Sequence, residues 1–217
     1  MSSREDILGR VRRQLGRTTE NASSGRSEME RYIAARAAGP HGILSGDLGS
    51  RFREKSLALS SSVEAIADLA QAPAAIARYL ASQGLPQQAV CWPRFADLDW
   101  TGAGLRVESR PARGADLVGI SGCFCALAET GTLMLCSGAD TPAALSLLPE
   151  THIAIVPAAR IVAGMEEAWT LLRSELGEVP RAVNFISGPS RTGDIEQTIV
   201  LGAHGPYRVH ILILGTP

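Results

Sequence analysis

Two glycine-rich segments in the C-terminal half carry the residues best suited to chemistry. The first, AETGT at 128–132, places Glu129, Thr130 and Thr132 around Gly131 between two apolar runs. Glycine lets the backbone turn sharply and come close to a ligand, so this turn would expose a carboxylate, two hydroxyls and backbone amides at one place. The same pattern also fits a plain turn in which Glu129 is solvated.

The second segment, SGPSRTGDIE at 187–196, predicts an anion site at the start of a helix. Unpaired amides and the helix dipole favour a phosphate or a carboxylate there, and Arg191 could hold such a group with two hydrogen bonds. Asp194 has capping-box spacing to Gln197, so it could instead cap the helix and orient Arg191. The candidate ligand-binding residues of both segments are Thr130, Gly131, Thr132, Ser187, Gly188, Pro189, Ser190, Arg191, Thr192, Asp194 and Glu196.

Two further motifs bear on catalysis. Segment 188–194 has the glycine spacing of a P-loop, but Asp194 and Ile195 stand where that loop needs Lys followed by Ser or Thr, which excludes ATP hydrolysis. His204 lies in a glycine-rich turn, and a histidine can transfer protons near neutral pH. Glu129 and His204 are therefore the candidate catalytic residues, although the backbone around His204 could simply satisfy its ring.

Apolar runs and helical patterns alternate from residue 88 onward. The strands and helices that they predict must position the two glycine-rich segments. Runs that are nearly continuous in hydrophobic residues predict strands covered on both faces. The predicted strands are 88–92, 105–109, 117–121, 132–136, 152–157, 182–187 and 209–214, with helices at 141–148 and 165–176. This order predicts an α/β fold with a mainly parallel sheet flanked by helices, and such sheets bind ligands beyond the carboxyl ends of their strands.

The N-terminal part predicts an appendage. An amphipathic helix begins near Ser3 and ends at Gly16, and the following stretch to residue 60 is rich in Ser, Gly, Arg and Glu with weak periodicity. We therefore expect residues 1–60 to form a helix and a loosely ordered connection, and residues 61–217 to form the folded domain.

Two short helices, or one kinked helix, are predicted at the start of that domain. Ser61 and Glu64 have the spacing of a capping box ahead of apolar residues, which predicts a helix over 63–70. Pro73 opens a second helical stretch, and Gly84 ends it.

Composition narrows the function classes. The 21 basic and 22 acidic residues give a formal net charge of −1. The protein therefore has no net positive electrostatic field that would attract nucleic acid, which argues against a nucleic-acid-binding protein. No apolar run approaches the roughly 20 residues of a membrane span, and the N-terminus lacks a secretory pattern, so we expect a cytoplasmic protein. Four cysteines without a CxxC pair predict no metal site and no identifiable cofactor.

Three motifs together resemble one known family. AETGT, then LSLLPETHIAIVPAARIV at 145–162, then ISGPSRTGDIEQTIVLGAHGP at 186–206 are similar to the lactate-utilisation protein C family, the LUD-domain proteins. The resemblance runs from about Ser61 to Leu214 and implies a fold like that of the NagB/RpiA/CoA-transferase-like group. It also implies a role in oxidising L-lactate to pyruvate beside two partner proteins, at least one of which carries iron–sulfur clusters. Because this chain lacks cluster motifs, iron–sulfur clusters are expected only in the partners.

Three functions follow as hypotheses. The first is a subunit of an L-lactate utilisation system that binds a small anionic ligand at the glycine-rich site. The alternative is an acyl-transferase-like, CoA-transferase-like or isomerase-like enzyme with Glu129 as nucleophile or general base, which rests on fold analogy. A third is a regulatory or structural protein with a degenerate site.

Overall fold

The structure, a computed structural model, describes residues 3–18, 22–39, 46–193 and 200–215. The chain divides into two compact units, Met1–Ile43 and Leu44–Pro217. The smaller unit contains helices α1 (Ser3–Gln14) and α2 (Ala22–Ala35). Helix α1 is the predicted N-terminal helix, whereas α2 lies in the stretch for which weak periodicity predicted a loose connection.

The larger unit alternates strands and helices, as predicted. Its described helices are α3 (Leu48–Ala58), α4 (Ala72–Ser82), α5 (Ala144–Leu147) and α6 (Met165–Leu176). Its described strands are β1 (Ser62–Ile66), β2 (Gln88–Cys91), β3 (Arg106–Ser109), β4 (Val118–Gly122), β5 (Cys125–Leu127), β6 (Thr132–Cys136), β7 (Thr151–Pro157), β8 (Ile161–Val162), β9 (Val183–Ile186), β10 (Arg191–Thr192), β11 (Val200–Leu201) and β12 (Arg208–Leu214). None of the helices in the described ranges is both long enough and apolar enough to cross a bilayer.

A parallel sheet of six described strands forms the centre of this unit. Its order is β1-β12-β7-β4-β2-β3, and every pairing is parallel. The two long central strands, β7 and β12, are buried over most of their length, as expected for continuous apolar runs covered on both faces. The predicted α/β class with a mainly parallel sheet is therefore confirmed.

Four further strands form a second, mostly antiparallel sheet, and two of them, β5 and β6, lie between β4 and β7 in the sequence. Its order is β8-β5-β6-β9, and β6 pairs antiparallel with both of its neighbours. The runs at 132–136 and 182–187 form strands as predicted, but in this sheet rather than in the parallel one. Helix α6 covers it, because Ala168 and Leu172 are fully buried in one cluster with Leu127 and Met134.

The predicted helix over 63–70 is wrong. Strand β1 occupies the first part of that stretch and pairs in parallel with β12, from Ser62 opposite His210 to Ile66 opposite Leu214. The capping-box spacing of Ser61 and Glu64 is a local signal, and the ladder to a long buried strand outweighs it. The second predicted helix is confirmed by α4, which has a proline in its first turn.

Helix α3 belongs to the larger unit, which begins before the expected boundary near Ser61. The side chain of Asp47 caps α3 by accepting a hydrogen bond from the Ser50 amide at 2.5 Å. Phe52 on α3 is fully buried in the main core beside residues of the parallel sheet. Burial of an aromatic side chain in a core shared with the sheet fixes this helix to it.

Replacing Phe52 by alanine is expected to lower the free energy of unfolding by about 3 to 5 kcal/mol, because a large buried side chain leaves a cavity. Urea denaturation of the full chain measures this loss. Arg53→Ala is the matched control, since Arg53 is exposed on the same helix and should change stability by no more than about 0.5 kcal/mol. Equal stability of the two variants would show that α3 contributes nothing to the core.

Candidate functional site

The two glycine segments meet at one end of the second sheet. Pairing of Leu133 with Ile186 across β6 and β9 brings Thr132 beside Ser187. The Thr132 hydroxyl lies 2.7 Å from the Ser187 hydroxyl and 2.8 Å from that of Thr130. Thr132 is buried, whereas Thr130 and Ser187 are exposed, so the buried hydroxyl links two hydroxyls at the surface. The structure thus brings together three of the predicted ligand-binding residues.

The end of helix α3 covers the glycines of both segments. A β-carbon added to Gly131 would lie 2.5 Å from the Ser56 amide nitrogen, and one added to Gly188 would collide with the Leu59 carbonyl oxygen. Both glycines also have a positive φ, +66° and +83°, a region that favours glycine. The Ser56 hydroxyl donates to the Gly131 carbonyl at 3.4 Å. The absence of side chains therefore lets α3 approach the two turns.

Arg191 lies on the surface of this region. Its guanidinium donates a hydrogen bond to the Ser60 hydroxyl, just beyond α3, and its strand β10 pairs antiparallel with β11. Arg191 and Thr192 therefore begin a β-hairpin. The predicted helix start at Asp194 and the candidate ligand residue Glu196 lie outside the described residues.

The turn at 202–206 contacts the second glycine segment through Ser190. The Ser190 amide donates to the Pro206 carbonyl, and the Gly202 amide donates to the Ser190 carbonyl, each at 2.9 Å. Pro189, Ser190 and Thr192 are half-buried, and His204 at the tip of the turn is exposed. These bonds place His204 in the same surface region as Arg191.

Glu129 lies at the start of helix α6. Its amide donates to the Ala163 carbonyl at 2.9 Å, and a β-carbon on Gly164 would lie 2.8 Å from its Oε2 atom. The carboxylate of Glu167 accepts from the Gly164 amide at 3.0 Å and caps the same helix. The partial positive charge of a helix N-terminus favours a carboxylate at this place. Glu129 is half-buried, so its carboxylate remains accessible.

Neither glycine segment lies at the carboxyl edge of the parallel sheet, where the fold predicts a ligand. AETGT follows β5 and SGPS follows β9, and both strands belong to the second sheet. Within the described ranges, no group of three or more His, Cys, Asp or Glu residues is placed to hold a metal ion. Among the described residues of the two glycine segments, the chemistry available is that of hydroxyls, one arginine and one carboxylate.

The region around both segments matches a family model. The model of the LUD domain matches residues 51–214, which is most of the chain and includes both segments. This chain belongs to the LUD domain family. The LUD domain match begins inside α3, so the family pattern includes the helix end that covers Gly131 and Gly188.

Individual relatives agree with this assignment. Lactate utilization protein C of Bacillus subtilis is 41% identical over 100 residues, which cover 45% of this chain and 42% of that protein. Lactate utilization protein C 1 of Bacillus mycoides is 44% identical over 106 residues, 48% of this chain and 45% of that protein. The LUD domain chain thus aligns with less than half the length of these relatives.

A solved structure shares the fold. The crystal structure of a DUF162 family protein from Deinococcus radiodurans superposes with a TM-score of 0.59 and 25% sequence identity. The superposition covers 80% of this LUD domain chain and 100% of the other.

Sequence reasoning missed the contribution of α3 to the site. The signal was present, because Asp47 is a favourable N-cap residue and Leu48, Phe52 and Ser56 recur every four residues. Surrounding glycines at 39, 42, 46 and 49 made the stretch look irregular. The contacts of Ser56, Leu59 and Ser60 with the glycine segments join residues far apart in sequence, which no local pattern indicates.

Proposed function

We propose that this chain is a component of an L-lactate utilisation system, working in the cytoplasm, that binds a small anionic ligand at the glycine segments. The observation that carries this proposal is the similarity to curated relatives named Lactate utilization protein C, at 36 to 44% identity. The LUD domain match includes both segments. The oxidation of lactate to pyruvate would use iron–sulfur partner proteins as electron carriers.

Arg191 is the residue that we propose holds the anion. A guanidinium has five N–H donors, and the Ser60 hydroxyl accepts from only one of its nitrogens, so donors remain for a carboxylate or phosphate. The exposed hydroxyls of Ser187 and Thr130 lie in the same region, and both are bonded to the Thr132 hydroxyl. Because Thr132 has one hydroxyl proton, one of the two outer hydroxyls donates to it and the other can donate to a ligand oxygen. Asp194 and Glu196 are proposed as further site residues on the sequence motif alone.

Replacing Arg191 by alanine is expected to slow growth on L-lactate severalfold or more, because a charge-assisted bidentate contact is among the strongest hydrogen-bonded pairs. The measurement is complementation of a strain from which the gene is deleted, with growth on an unrelated carbon source as reference. Arg181→Ala is the control, since Arg181 is exposed before β9. Wild-type growth of the deletion strain on L-lactate would refute the proposed function.

The partner proposal needs its own measurement. Lactate-dependent reduction of an electron acceptor, reconstituted from purified iron–sulfur partners, is expected to require this subunit. Full-rate oxidation in its absence would contradict a role in the reaction itself.

A second candidate is an acyl- or CoA-transferase-like or isomerase-like reaction at Glu129. The observation that favours it is the half-buried carboxylate beside the N-terminus of α6, because an accessible carboxylate can act as a nucleophile. Incubation with acyl-CoA donors should then yield an acyl adduct on Glu129 that mass spectrometry detects and that Glu129→Gln abolishes. Absence of both adduct and exchange activity would remove this candidate.

A further inference from the structure

A cleft at the carboxyl edge of the parallel sheet is lined by none of the residues discussed above as site candidates. It has a volume of about 670 Å³. Its walls come from the residues that follow β2, β4 and β7, and from the near end of the second sheet. Strands β5 and β6 run between this cleft and the AETGT turn, so the cleft and the glycine segments lie at opposite ends of that sheet.

One of the two arginines in the cleft is already neutralised. Arg160 forms a two-pronged ion pair with Glu175, at 2.6 and 3.0 Å. Its Nε atom donates to the Phe124 carbonyl at 2.7 Å, and its guanidinium lies 4.8 Å from the centre of the Phe124 ring. Arg160 therefore holds the wall in place and adds no net charge to the cleft.

The other arginine, Arg94, keeps its charge available. It makes no ion pair with any residue in the described part of the chain, and its guanidinium lies 5.0 Å from the centre of the Phe95 ring. A β-carbon on Gly122 would lie 3.3 Å from its Nη1 atom, so the glycine that ends β4 leaves room for it. This guanidinium is therefore free to pair with an incoming anion.

Other polar groups of the cleft are occupied or neutral. The Thr141 hydroxyl donates to the Cys136 carbonyl at 2.8 Å, and the Ser137 hydroxyl accepts from the Ala182 amide at 2.9 Å. Burial raises the pKa of the Cys123 thiol to about 12, so this thiol carries no charge at neutral pH.

The rest of the wall is apolar, with one exception. Trp92, Phe124, Pro157 and Leu176 supply apolar surface. The indole Nε1 of Trp92 is buried and has no acceptor among the described residues, which is uncommon for a buried donor in a folded protein. A ligand in this cleft would therefore meet the available cation of Arg94 and a large apolar surface.

We propose that this cleft binds an organic monoanion with an apolar ring or chain, its acidic group on Arg94 and its body against Phe124, Pro157 and Leu176. A volume of this size matches pockets for molecules much larger than lactate. Parallel α/β sheets bind ligands at this edge. The proposal does not depend on the proposed function at the glycine segments.

The test separates the contribution of the ligand's charge to affinity from the contribution of its apolar part. Isothermal titration of the full chain compares 2-naphthoate, which has both features, with neutral 2-naphthamide and with L-lactate. We expect 2-naphthoate to bind at least tenfold more tightly than either of the others, because a charge-assisted contact adds to apolar burial. Equal binding of 2-naphthoate and 2-naphthamide, or no binding of 2-naphthoate, would overturn the proposal.

Variants then locate the site. Arg94→Ala should reduce 2-naphthoate affinity to that of 2-naphthamide and leave 2-naphthamide binding unchanged. Arg106→Ala removes the same charge at the amino end of β3, on the opposite edge of the sheet, and should leave both affinities unchanged. Ala159→Trp fills the cleft and should abolish both. Unchanged 2-naphthoate binding in Arg94→Ala and in Ala159→Trp, with both variants folded by circular dichroism, would place the ligand elsewhere.

Discussion

Replacing Gly131 by alanine is expected to lower the free energy of unfolding by about 2 to 5 kcal/mol and to loosen the end of α3. The left-handed backbone conformation of a non-glycine residue costs about 1 to 2 kcal/mol, and overpacking costs about 1 to 3 kcal/mol further. The overpacking here is against backbone, since the added carbon would lie 2.5 Å from the Ser56 nitrogen and 2.7 Å from the Lys55 carbonyl carbon. Urea denaturation measures the loss.

The chain offers a control that separates the two contributions. Gly84 has nearly the same φ, +64°, with no atom within 4 Å of an added β-carbon, so Gly84→Ala should show the backbone contribution alone. Gly188→Ala should resemble Gly131→Ala, because its added carbon would meet Leu59. If Gly131→Ala and Gly84→Ala lower the free energy of unfolding by the same amount, the close approach of α3 does not require glycine at position 131.

The strands and α6 could be predicted because their signals are local. Strand β7 lies in the continuous apolar run HIAIVP, and such a run is typical of a strand buried on both faces or of a buried helix. Helix α6 lies over the predicted 165–176, with its apolar residues at helical spacing and Gly177 after its last turn. Strand β1 was mistaken for a helix because its identity depends on pairing with β12, almost 150 residues later.

The candidate site could be predicted only in its parts. Sequence motifs singled out Thr130, Thr132 and Ser187, and the structure joins their hydroxyls. The partner of Arg191 could not be foreseen, because Ser60 lies 131 positions away in the chain. Contacts over such separations depend on the assembled sheets, and neither motif contains that information.

Two buried histidines in the parallel sheet make stability depend on pH. His152 on β7 is fully buried, with its Nε2 atom 2.7 Å from the Ser121 hydroxyl. His210 on β12 has its Nδ1 atom 2.8 Å from the Ser62 hydroxyl, and its ring stacks on Tyr79 at 3.9 Å. Burial disfavours the charged ring and lowers the pKa of each histidine to about 4, below the value of about 6.5 in an unfolded chain.

Stability is therefore expected to fall as the pH drops from about 6.5 towards 4. In that window the unfolded chain binds protons that the folded protein does not, so each histidine removes about 1.4 kcal/mol per pH unit. Well above pH 6.5 both forms are neutral, and the histidine contribution is fully present. Urea denaturation at pH 7.5, 6.5, 5.5 and 5.0 should show the loss.

The slope of stability against pH distinguishes this mechanism from a general acid effect. The carboxylates whose pKa is lowered, such as those of Asp116 and Glu175 held by Arg110 and Arg160, lose their contribution only below their unfolded values of about 4 to 4.5. His152→Gln and His210→Gln should each remove about half of the slope between pH 6.5 and 5, even where they lower stability at pH 7.5. Retention of the wild-type slope in the double variant would assign the loss to other groups.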